Sequence, residues 1–251
     1  MILTYREAIR EGMSIRMRED PRVILFGEDT GAYGGSFGIT LGMYDEFGGD
    51  RVRDTPISES AIIGCAVGSA ATGMRPIAEL VFCDFLTVAM DQIANQAAKM
   101  RYMFGGKISL PMVVRMPAGA GQGGAAQHSQ SLEAWVTHVP GLKVVYPSTP
   151  QDALGLILSA IDDDNPVIYF ENKIIKEKAD ITNFDPIPLG KGNIVREGTD
   201  ISVITYGLQV YDAKKAADIL AKDGISLEII DLRTLYPLDK DMIRSSIAKT
   251  H

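Results

Sequence analysis

The chain has 251 residues, 46% of them apolar and 23% charged, with a formal net charge of −7. That much apolar material fills one large core or two ordinary ones. An acidic balance with no basic block longer than Lys214-Lys215 argues against nucleic acid as a partner.

In chain order, residues 4–19 place Tyr5, Ala8, Ile9, Gly12 and Met13 on one stripe among charged residues. This predicts an amphipathic helix opened by Thr4 with Glu7 three residues on, and stopped at Pro21. The N-terminus lacks the basic and apolar regions of a signal peptide, and no apolar run reaches membrane-spanning length, so a cytoplasmic protein is expected. Residues 23–26 are wholly apolar, the pattern of a strand covered on both faces. Glu28 follows at its carboxyl end, where open α/β sheets bind ligands. The glycines between 31 and 42 cannot be placed in a Walker A or GxGxxG context, which also removes a nicotinamide-binding reading, and they predict a flexible active-site or interface loop. A short helix is expected over 44–47.

Pro56 biases Thr55 towards extended backbone, Ser58 can cap, and small residues interleaved with Ile62, Ile63 and Val67 then predict a helix over 61–74. Glu59 therefore falls in its first turn. A carboxylate there gains about 0.3 to 1 kcal/mol from the helix dipole. It could equally be aimed into a cleft, and periodicity does not separate the two. A strand over 77–82 and a helix over 85–100 follow, with Phe85, Val88, Ala89 and Ile93 at helical spacing. Phe85, at the junction, could stack on a flat cofactor rather than pack a core. The cysteines, Cys65 and Cys83, have no CxxC or zinc-ligand spacing and read as buried free thiols in a reducing compartment.

Next come a strand over 111–115, a glycine-rich loop over 117–126 and His128 at the loop's end. His128 fits either a structural role or acid–base work. Strands over 142–146 and 166–170 flank a helix over 150–161, and residues 162–165 form a polar turn. This βαβα succession predicts an α/β fold, a doubly wound, mostly parallel sheet with helices on both faces. Residues 171–188 read as a linker. From 186 a second α/β unit begins, with strands over 201–206 and 226–231, a helix over 210–223 and another from Asp239. At 66 residues it falls short of the roughly 100 to 150 of a usual domain and is expected to be incomplete.

Residues 54–76, with 79–85, 127–130, 140–149 and 231–234, resemble the β subunit of the thiamin-diphosphate-dependent E1 component of 2-oxo acid dehydrogenase complexes, and the resemblance runs along the whole chain. It implies a transketolase-like pyrimidine-binding domain over 1–185 and part of a transketolase C-terminal-like domain over 186–251. It implies that Glu59 holds the aminopyrimidine of thiamin diphosphate, that Ile57, Val81 and Phe85 line its pocket, and that His128 faces the substrate, with Glu28 a further member of the proton network. Oxygens of Met112, Ala160, Ile161, Asp163 and Asn165 match a loop that binds potassium in the family. The family's Gly-Asp-Gly…Asn diphosphate signature is missing, and Asp223-Gly224 lies in a turn without such an asparagine. The resemblance therefore implies that a separate α subunit holds Mg²⁺ and diphosphate in an α₂β₂ assembly, and that the acyl group passes to the lipoyl arm of an E2 transferase. The chain would be active only with that α subunit. The segments 101–107 and 125–131 look more like acetoin dehydrogenase than pyruvate dehydrogenase. The rival reading is a non-catalytic assembly module of the same complex.

Overall fold

The computed structural model describes residues 1–250. Strand β1 (Ile2–Thr4) leads into helix α1 (Tyr5–Glu19), whose start is a capping box: the Thr4 hydroxyl accepts the Glu7 N–H, and the Glu7 carboxylate accepts the Thr4 N–H at 2.8 Å. The stripe of Tyr5, Ala8, Ile9, Gly12 and Met13 is buried, as expected. There follow β2 (Val23–Gly27), α2 (Met43–Phe47), β3 (Val52–Asp54), α3 (Glu59–Ala71), β4 (Arg75–Glu79), α4 (Ala98–Met103), β5 (Val113–Ala118) and α5 (Glu133–Thr137). Then come β6 (Lys143–Val145), α6 (Pro150–Asp162), β7 (Val167–Asn172) and β8 (Lys178–Asp180). The chain closes with β9 (Asn193–Arg196), β10 (Ile201–Thr205), α7 (Gln209–Leu220), β11 (Leu227–Asp231), β12 (Thr234–Tyr236) and α8 (Lys240–Thr250).

The central sheet has seven strands in the order β12-β6-β7-β5-β4-β2-β3, all parallel except β12. Because side chains alternate across a strand, each buried strand feeds two cores. Ile77, Val113 and Tyr169 join α1 and α6 on one face, while Ala78, Val114 and Phe170 join α3 on the other. The doubly wound, mostly parallel α/β fold is thus present. α1 and α6 touch so closely at Gly12 that an added methyl would lie 2.3 Å from Ile157. The second unit is a three-stranded sheet, β10-β11-β9, packed on α7 through Ala213, Ala217, Leu227 and Ile229. Among the described residues no helix is long and apolar enough to cross a membrane.

Four local expectations need correction. Strand β4 ends at Glu79, so Val81 and Phe82 lie beyond it. The helix expected over 85–100 is broken into a 3₁₀ turn (Cys83–Thr87), a π-helical segment (Gln92–Ala97) and α4, and Val88 is 54% exposed. Residues 171–188 are no simple linker: β7 runs on to Asn172, Glu171 and Lys173 are buried, and β8 pairs with β1. Cys65 is exposed, because it faces outward from α3, while Cys83 is buried and burial pushes its thiol up to about 12.

The two sheets meet at a buried polar junction. Asp231, at the end of β11, accepts the Arg233 N–H at 3.1 Å, and the Arg233 guanidinium pairs with Asp152. Burial, with the charge of Asp152 beside it, pushes the Asp231 carboxyl from 3.8 up to about 7. A carboxyl raised on folding favours the protonated fold, so its contribution is complete below about pH 4 and is lost as pH rises through about 7. Asp231→Asn is therefore expected to stabilise the protein at pH 8 by on the order of 2 kcal/mol and to change little at pH 4. Thermal melts in the two buffers check this, and equal shifts at both would contradict it.

Candidate active site

The parallel strands β2, β4, β5 and β7 all end on one side of the sheet, and the segments that leave them carry the chemistry-bearing residues. Thr55 donates its N–H to the Gly27 carbonyl at 3.0 Å, holding residues 55–58 beside the end of β2. α3 then starts at Glu59. Ser58 precedes it but makes no side-chain capping bond, and Ser60 instead donates its hydroxyl to the Val88 carbonyl at 2.7 Å. That bond ties the first turn of α3 to the turn that follows Phe85. The Glu59 carboxylate is half-buried, and among the described residues nothing hydrogen-bonds to it. Glu28 is half-buried nearby. Burial, then the charges of Asp29 and Glu59, raise its pKa.

Three apolar side chains belong to the segments on either side of that bond. Ile57 is 74% exposed, and Val81 and Phe85 are half-buried. Behind it stands an edge-to-face aromatic cluster: Phe82 to His128 at 4.4 Å between ring centroids, Phe85 to His128 at 5.6 Å, Phe82 to Phe85 at 6.0 Å and Phe37 to Phe82 at 5.5 Å. His128 closes a short 3₁₀ turn, Ala126–His128, at the end of the glycine loop. The structure thus brings Phe85 and His128 together and ties Glu59 to the same wall through Ser60. A carboxylate with free lone pairs, on a helix turn tied to a partly exposed apolar wall, suits a flat heterocycle with a hydrogen-bonding ring nitrogen.

Beneath this wall lies a feature the sequence reading missed. Arg115, in β5, is fully buried between Glu79 and Glu171 and pairs with both, with Glu171 at 2.8 Å. Burial pushes Glu171 up to about 7, the Arg115 charge pulling it down and that of Glu79 pushing it up. Lys173 and Asp84 were also missed. Lys173, within the presumed linker, donates to the His128 carbonyl and sits 5.2 Å from the Phe82 centroid. Burial lowers its pKa and Asp84 opposes that. Alternation offers one signal for such residues: Arg115 and Glu171 are charges inside otherwise apolar strand runs.

The oxygens expected to hold potassium are largely in use. The Met112 carbonyl accepts the Val167 N–H at 2.9 Å, and Arg75 donates to the Ile161 carbonyl at 2.8 Å and the Asp163 carbonyl at 3.4 Å. Arg101 holds the Asn165 side-chain oxygen at 2.6 Å, and Lys143 pairs with the Asp163 carboxylate. These are hard oxygen donors of the right chemistry. A potassium ion drawing on the Ile161 and Asp163 carbonyls would share them with the Arg75 guanidinium. Among the described residues no group of three or more His, Cys, Asp or Glu side chains is placed to hold a metal ion.

The fold and this site define a transketolase-type pyrimidine domain. Residues 2–176 match the family model described as transketolase, pyrimidine binding domain, and residues 190–251 match transketolase, C-terminal domain. A split-gene transketolase solved as an inactive β4 tetramer superposes with a TM-score of 0.80 at 20% identity, over 99% of this chain and 76% of that one, a likeness of fold. In sequence the chain is 52% identical to the β subunit of acetoin:2,6-dichlorophenolindophenol oxidoreductase of Cupriavidus necator, over 99% of this chain and 77% of the relative. It is 49% identical to the 2-oxoisovalerate dehydrogenase β subunit of Bacillus subtilis (99% and 77%) and 46% identical to the pyruvate dehydrogenase E1 β subunit of Rickettsia bellii (100% and 78%). The chain belongs to the E1 β-subunit family of the 2-oxo acid dehydrogenase complexes.

Proposed function

We propose that this chain is the catalytic β subunit of a thiamin-diphosphate-dependent E1 enzyme, with the cofactor shared between it and an α subunit in an α₂β₂ assembly. The observation that carries this reading is the Glu59 carboxylate, half-buried and free of partners among the described residues at the head of α3, with exposed Ile57 two residues before it and its neighbour Ser60 bonded to the turn that follows half-buried Phe85. When bound, thiamin diphosphate supplies a carbon nucleophile that adds to a carbonyl and stores the resulting electron pair. Glu59 would hold the pyrimidine ring nitrogen and share its proton there, in the manner of a positioned general acid–base. Phe85 would stack on the ring, while Ile57 and Val81 exclude water from it. His128 would face the substrate and move a proton on its imidazole as the acyl group leaves for the lipoyl arm of an E2 transferase. Glu28, its pKa raised, joins the same proton network. Mg²⁺ and the diphosphate would fall to the α subunit, because this sequence lacks the family's Gly-Asp-Gly…Asn diphosphate signature.

Titration calorimetry tests the assignment. Thiamin diphosphate with Mg²⁺ is expected to bind only after the α subunit is added, and no binding even then would favour a non-catalytic assembly module. For the acyl donor, acetoin is favoured by the segments 101–107 and 125–131 and by the 52% identical relative. Turnover of acetoin above that of pyruvate and 2-oxoisovalerate, measured on the assembled enzyme, is the expected ranking.

A further inference from the structure

Three residues, His128 to Gln130, end a loop that has little else to hold it, since residues 120–127 are exposed and rich in glycine. Two buried charges grip this turn from opposite ends. Lys173, 2% exposed, donates its ammonium to the His128 carbonyl. Asp84, 3% exposed, accepts the Gln130 N–H on Oδ1 at 3.1 Å. The cation thus meets a backbone acceptor and the anion a backbone donor, the pairing that makes charge-assisted bonds short and strong. The grip has its own supports. The Gln130 carbonyl accepts the Gly119 N–H at 3.2 Å and the Cys83 thiol at 3.2 Å, and the Lys173 carbonyl is held by Arg6 at 3.0 Å and Gln122 at 3.3 Å. The Phe82 ring centroid lies 5.2 Å from the Lys173 ammonium and 4.4 Å from the His128 ring centroid, so the cation and the imidazole share one aromatic neighbour.

We propose that Lys173 and Asp84 are positioning residues, an electrostatic clasp that sets where the His128 imidazole stands. The clasp deepens the function proposed above and rests on it only for the role of His128. Without it the backbone at 128–130 would be free to move with the glycine loop, and the imidazole would leave its edge-on seat against Phe82 and Phe85.

The test begins on the chain alone, without cofactor. Amide hydrogen exchange followed by NMR in Lys173→Met and in Asp84→Ala is expected to quicken about tenfold or more at Gln130 and Gly119, while the amides of β4, β5 and β7 keep wild-type rates. In the assembled enzyme Lys173→Met is expected to lower kcat with the affinity for thiamin diphosphate unchanged, and Lys173→Arg, which keeps a cationic donor, to recover part of the loss. Unchanged exchange at both amides in both variants overturns the clasp. So does acceleration spread evenly over the sheet, which would mark a general structural role. Should Lys173→Met fail to fold, Asp84→Asn, close in volume and without the charge, carries the same exchange measurement. If Glu59→Gln leaves turnover intact, the enzymatic reading falls while the exchange result stands, and the two failures are told apart.

Discussion

Glu59→Gln, assembled with its α partner, is expected to fold and bind as the wild type does and to lose turnover by about 10²-fold or more, the scale of removing an essential acid–base group. The substitution keeps volume and hydrogen-bonding reach but cannot share a proton with a ring nitrogen. Its cost to the fold is small: the carboxylate is half-buried and unpaired, and its interaction with the α3 dipole is worth about 0.3 to 1 kcal/mol. The two readings of this residue thus predict opposite patterns. A dipole partner would show a slightly lower melting temperature with full turnover, whereas a cofactor ligand would show a nearly unchanged melting temperature and almost no turnover. Steady-state rates and thermal melts on one preparation decide it, and retained wild-type turnover removes Glu59 from the chemistry.

The largest stability effect is expected at Arg115→Met. Arg115 is fully buried, as are Glu79 and Glu171, and removing the guanidinium leaves two carboxylates facing each other away from water. Breaking a buried ion pair from one side costs about 3 to 5 kcal/mol, a large part of the stability of a typical domain. The sign with pH follows from Glu171, whose carboxyl burial pushes up to about 7 even with Arg115 present. A raised carboxyl favours the fold below its ordinary value of 4.5, and that contribution is lost as pH rises through about 7. Arg115→Met is therefore expected to be more damaging at pH 8 than at pH 5.5 in urea unfolding. Adding Glu79→Gln and Glu171→Gln to Arg115→Met should restore much of the loss, because no charge is then left unpaired. Equal destabilisation at both pH values, with no rescue by the triple change, would show that packing rather than charge governs the cluster. The cluster also lies under the aromatic wall, since Glu79 ends β4 only a few residues before Phe82 and Glu171 precedes Lys173 by two.

Much of the scaffold was legible because it is written in local patterns. The Thr4–Glu7 box and stripe of α1 and the apolar runs of β2, β5 and β7 each encode an element by caps or period alone, and the alternation of strands and helices implies the parallel sheet. Glu59 at the head of α3 and His128 at a loop end were readable for the same reason: each occupies a junction between two patterns, whereas Phe85, read at a strand exit, lies in a 3₁₀ turn beyond it. What the pattern could not show is what happens where tertiary contacts override it. The 85–100 helix reads as one stripe, yet the chain breaks it into 3₁₀ and π segments, which turns Val88 outward instead of burying it. β12 has three residues, too few for a period, and becomes a strand only because β6 offers it a free edge.

From its sequence alone the chain determines the buried apolar strands β2, β5 and β7, the Thr4–Glu7 cap of α1, the class of its sheet and the family to which it belongs. Only the folded structure decides that Arg115, Glu171 and Lys173 are inside, that Arg75 shares the oxygens of the 161–163 loop, and that His128 is held through its backbone rather than its ring. The division has one cause. Period and capping are set by neighbours in the chain, whereas the burial and pairing of a charge depend on partners as far apart as Glu79 and Glu171, which meet only when the sheet closes over them.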